Sequence, residues 1–122
     1  MKYIIVIKTS DEIEVKKYEK NQKITLNEWQ SLFGGGNVEC VPSIFSGIEI
    51  IIDEEGKHKG LPVNAIATGL LHPSIADVLV GDAVLAAVKK DSLDGMSEFA
   101  KEFIVKQIND AVTEAKAEVT EE

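Results

Sequence analysis

Arginine is missing from the chain: all 13 of its basic residues are lysine. Sequence-specific readers of nucleic acid lean on the planar guanidinium fork, which grips guanine or phosphate through paired hydrogen bonds. With 21 acidic residues and a net charge of −8, the chain is expected to bind no nucleic acid sequence-specifically. Cysteine is nearly absent as well. Cys40 stands alone, which excludes an internal disulfide and a cysteine-built zinc site. A lone thiol suits a reducing cytoplasm. Its neighbour Glu39 has the wrong sign to favour a thiolate, so Cys40 reads as a small buried strand residue. Long apolar runs are also missing. No window approaches the ~20 residues of a membrane span, and the uncharged run Tyr3 to Ile7 is too short for a secretion signal. No membrane association is expected.

What is present is an ordinary globular composition, 44% hydrophobic over 122 residues, which fits one domain over residues 1–122 with a core of its own. Residues 2–18 read as a β-hairpin. Tyr3 to Ile7 are β-branched or aromatic, Thr9-Ser10-Asp11 is a turn signal, and Glu12 to Lys16 alternate with period two. The near-continuous apolarity of the first strand implies cover on both faces, from the chain's own helices or from a second copy in a homo-oligomer. Residues 25–34 read as a short helix. Thr25-Leu26-Asn27-Glu28 is a capping box, and Gly34-Gly35-Gly36 is the stop.

Residues 37–88 read as strands and turns. Strands are expected from Asn37 to Val41 and from Gly47 to Asp53. A tight turn with Gly56 at positive φ should follow, then an extended run from His58 to Pro62. Pro62 to Ala67 suit one or two helical turns with proline first, and Gly69 to Pro73 a loop. Asp77 to Val88 suit one or two strands broken at Gly81-Asp82, and Lys89 to Gly95 a polar connection. A long helix is predicted over 97–118. Its apolar stripe runs through Met96, Phe99, Phe103, Ile104, Ile108, Ala111, Val112 and Ala115, and fades beyond Ala115 into an end that frays. Short turns between strands favour an α+β fold: an antiparallel or mixed sheet with the C-terminal helix packed on one face.

No reaction is spelled out. Asp53-Glu54-Glu55 lack the spacing of a calcium loop and suit a solvated turn. His58 and His72 lie 14 residues apart with no third ligand beside them. The three glycines follow a helix, whereas a phosphate-cradling loop precedes one. No serine stands in a Gly-x-Ser-x-Gly elbow. Neither a cofactor nor a metal is expected, and the chain reads as no enzyme. Outside the stripe, Glu98, Glu102, Asp110, Glu114 and Glu118 form a solvated face or, alternatively, a negative surface that imitates DNA. Gly60-Leu61-Pro62-Val63-Asn64 carries two readings. Asn64 can hold a turn through its own backbone, or its amide, donor and acceptor at once, can read a ligand from a rigid loop. With Glu55, Lys57, Lys59, Leu61 and Pro62, Asn64 makes up the candidate ligand- or partner-binding set.

Several pieces in order carry a family resemblance: Gly36-Asn37-Val38-Glu39-Cys40-Val41-Pro42, then Asp53-Glu54-Glu55-Gly56-Lys57, then Gly60-Leu61-Pro62-Val63-Asn64, then Asp77-Val78-Leu79-Val80-Gly81-Asp82. Together they resemble domain of unknown function family 3846, whose members occur mainly in phages and other mobile elements of bacteria. Ala65-Ile66 stand where an arginine is common in that family. The resemblance implies an accessory protein in a bacterial cytoplasm and no particular chemistry. The function expected is non-catalytic binding of a host or phage protein, modulation of host defence being one such role. A small-molecule, nucleotide-like ligand near Asn64 and an acidic DNA mimic are the alternatives.

Overall fold

The computed structural model describes the backbone of residues 1–120 and the side chains of residues 1–116. Two strands, β1 (Lys2–Ile7) and β2 (Ile13–Tyr18), form the N-terminal hairpin with Ile7 opposite Ile13. Its turn closes through Asp11 N donating to Lys8 O at 2.9 Å, with Asp11 itself at φ 70°. That is a three-residue loop ending in a left-handed residue. Helix α1 (Leu26–Ser31) begins with both halves of the capping box in place. It ends on the two-bond pattern of a glycine stop: Gly34 N donates to Ser31 O and Gly35 N to Gln30 O, with both glycines at positive φ.

Strands β3 (Val38–Pro42) and β4 (Ile48–Asp53) pair next, with Cys40 opposite Ile51. Helix α2 (Ala65–Gly69) follows, then β5 (Ala83–Lys89), β6 (Ser92–Asp94) and the long α3 (Glu98–Thr120). The sheet order is β2-β1-β5-β4-β3, with β6 beside the far end of β5 and every pair antiparallel. The fold is thus α+β, a six-stranded antiparallel sheet with the long C-terminal helix on one face.

Both faces of the sheet are covered from within the chain. On one, Ile5, Ile7, Ile50 and Leu85 meet Ala67 of α2, its C-cap Leu70, and Ile104 and Ile108 of α3. On the other, Ile4, Val6, Ile51 and Val84 meet Ile24 and Trp29 at α1. Ile4, Ile5 and Ile7 have no exposed surface, and each such side chain contributes about 1.5–3 kcal/mol by leaving water. This is why β1 reads as apolar at almost every position.

Several local expectations are corrected. Gly56 is not at positive φ. A Cβ there would stand 3.1 Å from Val80 Cγ2 and 3.2 Å from Asp53 O, so close packing is what selects glycine. The expected turn continues through Gly60, so His58 to Gly60 are not extended, because the Gly56, Lys59 and Gly60 amides all bond carbonyls three or four residues back. The short helix starts at Ala65 with Asn64 as its N-cap, so Pro62 is not its first residue. Of the run 77–88 only residues 83–88 are strand, the start of β5. Val80 makes an isolated bridge with Val63, and Gly81 turns the chain at φ 77°.

The connection 89–95 contains β6. Lys90 and Asp91, at φ 49° and 65°, make a two-residue turn of the type that matches strand twist. Helix α3 is helical in backbone through Thr120; the side chains of residues 117–120 and all of residues 121–122 lie outside the described residues. Its buried line is narrower than the predicted stripe. Ile104 and Ile108 are buried, whereas Phe99 is 81% and Phe103 48% exposed and Ala111 and Ala115 are exposed. Phe99 and Phe103 each sit one residue, hence 100° of helix rotation, before the inward positions Ala100 and Ile104.

Candidate functional site

Asn64 is held where the α2 N-terminus meets the sheet. Its side chain has no exposed surface. Oδ1 accepts from Ala67 N at 3.0 Å, and Nδ2 donates to Ile7 O at 2.9 Å and Gly81 O at 3.0 Å. One amide thus caps a helix and ties it to β1 and to the bend before β5. All of this is internal, so Asn64 presents no atom to a ligand. Leu61 packs beneath the bend: a Cβ on Gly81 would fall 2.7 Å from Leu61 Cδ1. Pro62 is exposed beside it.

The charged members of the candidate set are drawn into ion pairs or left in solvent. Asp53, the last residue of β4, is buried. Its carboxylate accepts from Lys59 Nζ at 2.7 Å and from Glu55 N at 2.9 Å. The Lys59 hydrogen bond, aided by the Glu55 amide and opposed by burial, holds the carboxyl below its ordinary value. Lys57 pairs with Asp77 at 2.6 Å on the surface, and Glu54 and Glu55 are exposed. The turn is therefore an ion-paired loop closure. Among the described residues, no three His, Cys, Asp or Glu side chains stand close enough to hold a metal ion.

The two histidines do not converge. His58 is exposed in the 54–60 turns. His72 Nδ1 accepts from Ser74 N at 3.1 Å and lies 2.8 Å from Ser74 Oγ. Its hollow, about 410 Å³, also contains Glu49 and Ser43, but Ser43 Oγ donates to Ile48 O at 2.6 Å and serves the turn. Cys40 is exposed on the edge strand β3, not buried as expected, because β3 has no neighbour on its outer side. Partial desolvation and the carboxylates of Glu49 and Glu39 push its thiol up, which disfavours the reactive thiolate.

A more apolar hollow lies elsewhere. A groove of about 740 Å³ runs between the C-terminal half of α3 and the α2 side of the fold. Ile108, Ala111, Val112 and Ala115 form the α3 wall. Ala65, Ile66 and Gly69 of α2 and its C-cap Leu70 form the other, with Ile44 and Phe45 at one end. Polar side chains enter it only as Asp11, Gln107 and Lys116. Phe45 continues the apolar surface outward through an edge-to-face contact with Phe103, centroids 6.3 Å apart. Phe99 lies one helical turn further on. Helix α2 is short and α3 long, and past Val112 the described side chains of α3 are all exposed. Sequence reasoning passed over this site. Its one local signal was the excess of apolar residues on α3, two phenylalanines wider than a single buried line requires.

The fold and these surfaces define a small α+β domain with a sheet packed on both sides and an open apolar groove beside its last helix. The chain matches the family described as Domain of unknown function (DUF3846) over residues 1–109, and it belongs to that family. No curated protein and no solved structure matches it. No helix among the described residues is long and apolar enough to cross a membrane.

Proposed function

We propose that this protein is a non-catalytic binding module, an accessory protein of a phage or other mobile element, that acts in the bacterial cytoplasm by docking another protein. The observation that carries the reading is the apolar groove, continued by the half-buried Phe45, the exposed Phe103 ring against it and the exposed Phe99. Large exposed apolar surface is costly to keep in water and marks interaction sites. The polar groups singled out in the sequence support the same reading. Asn64, Asp53, Lys59 and Ser43 are engaged in holding turns and caps, and the groove itself brings few polar groups to a substrate.

The DNA-mimic alternative draws less support. Asp110 is paired with Lys106 at 2.8 Å and Glu102 lies 4.0 Å from Lys101, which breaks up any phosphate-like run of charge. The side chain of Glu118 lies outside the described residues. A nucleotide-like ligand at Asn64 lacks a reader, since that amide is sealed. A second reading, an apolar small molecule in the groove, is favoured by its volume, which falls within the ~300–1,000 Å³ of ligand pockets.

The test is a groove-filling variant, Ala111→Trp, at an exposed helix position. Wild type and variant are crosslinked in bacterial cells, and retained proteins are re-tested as purified partners. The expected result is direct binding by wild type and its loss in the variant. An identical set of binders for both chains removes the protein-docking reading. A bound apolar mass in native mass spectrometry, displaced by the same substitution, would establish the second reading instead.

A further inference from the structure

We infer that the groove accepts an amphipathic α-helix bearing lysine or arginine along one flank, a proposal that rests on the protein-docking reading above. The shape is the first argument. The α3 wall from Gln107 to Lys116 spans roughly 14 Å at 1.5 Å per residue, and roughly 26 Å when Phe99 and Phe103 are included. That is a trough between helices, the usual seat of a helix whose apolar face inserts at i, i+3, i+4 and i+7.

The backbone is the second argument. Most amides and carbonyls of the groove walls are spent within α3 and α2, and at the Ile44–Phe45 end Ile44 N donates to Leu70 O and Phe45 N to Ser43 Oγ. Neither edge strand, β2 or β3, contributes to the lining beyond the turn residue Asp11. An extended peptide would find no sheet edge there and would leave its own backbone unpaired. A helix brings its hydrogen bonds with it.

Charge is the third argument. On α3, Phe99, Phe103, Gln107, Asp110 and Glu114 follow at spacings of three or four, so they share one stripe, which reaches the groove lining at Gln107. Its first half is aromatic and its second half acidic. Asp110 already holds Lys106, so Glu114, with Asp11 across the groove, carries most of the attraction. Lys116 lies at one end of the lining. The background is a chain of net charge −8, which steers basic partners and repels acidic ones.

The experiment is selection from a displayed library of random peptides roughly 16 residues long, enough for ~24 Å of helix. Selection uses the full chain, with counter-selection on Ala111→Trp and Ala115→Glu, both checked for native circular dichroism. Enriched sequences should show helical apolar spacing with an excess of Lys and Arg. The synthetic peptide of the most enriched sequence should gain helix on binding, weaken with added salt, and lose about tenfold or more in affinity on Glu114→Lys. Groove-dependent sequences without helical spacing, or rich in Asp and Glu, would overturn this inference and leave the docking reading standing. No groove-dependent enrichment would overturn both. Light scattering adds one further outcome: self-association lost in Ala111→Trp would make a second copy the occupant and overturn the inference.

Discussion

Replacing Asn64 by aspartate changes one NH2 into an oxygen and leaves the shape of the side chain almost untouched. The cap to Ala67 N survives, since a carboxylate accepts as well as an amide. The two donors to Ile7 O and Gly81 O do not. In their place a carboxylate without exposed surface faces two carbonyl oxygens, and no cation lies among the hydrogen-bond partners of Asn64 to offset it. The folded state therefore holds this carboxyl well above its unfolded value of about 3.9. The sign follows from linkage. A carboxyl with a raised folded pKa leaves stability intact at pH below its unfolded pKa and erodes it as pH rises, by about 1.4 kcal/mol per pH unit. Between pH 4 and pH 6 Asn64→Asp should thus lose about 2.4 kcal/mol relative to wild type, the slope reaching its full value only above the unfolded pKa.

Asn64→Ala behaves differently. It removes three hydrogen bonds worth about 1 kcal/mol each and should cost about 3 kcal/mol at every pH. Urea unfolding followed by the fluorescence of the buried Trp29, with both variants measured against wild type at each pH, isolates the effect from the acid sensitivity of Asp53 and the other carboxylates. A pH-independent cost for Asn64→Asp, or a cost below about 1 kcal/mol for Asn64→Ala, would refute the assignment of Asn64 as an internal pin.

Lys59→Met strips Asp53 of its cation. Because the folded pKa of Asp53 is depressed, the pair's contribution is present above the unfolded pKa near 3.8 and lost as pH falls through the folded value. The variant should be weaker by about 1–2 kcal/mol at pH 7, the half-exposed lysine tempering the loss, and should show a smaller decline on acidification, read by thermal melting from pH 7 to 2.5. Replacing Lys90-Asp91 by Asn-Gly relieves two positive-φ positions and should stabilise by about 0.5–1 kcal/mol in urea. On α3, Ile108→Ala should cost about 2–5 kcal/mol, whereas Phe99→Ser should stay within about 0.5 kcal/mol. Equal costs at both would refute the narrow buried line.

The sequence alone determined the elements whose cause is local. The Thr25–Glu28 capping box and the Gly34–Gly35 stop are complete within one turn of chain, and the β-branched run of β1 declares its burial at every position. Hairpin, short helix and long helix were legible for that reason, as was the α+β class. Tertiary structure decided where the cause lies far along the chain. Gly56 is selected by Val80, 24 residues away, and Asn64 by the carbonyl of Ile7, 57 residues away. An amide that reads as a ligand group in isolation is consumed once those carbonyls arrive, because a buried polar group must find its partners. The groove could not be read from any segment, since its two walls meet only when α2 and α3 pack on the same face of the sheet. Periodicity fixes which residues share a side of a helix; only packing fixes how much of that side is covered.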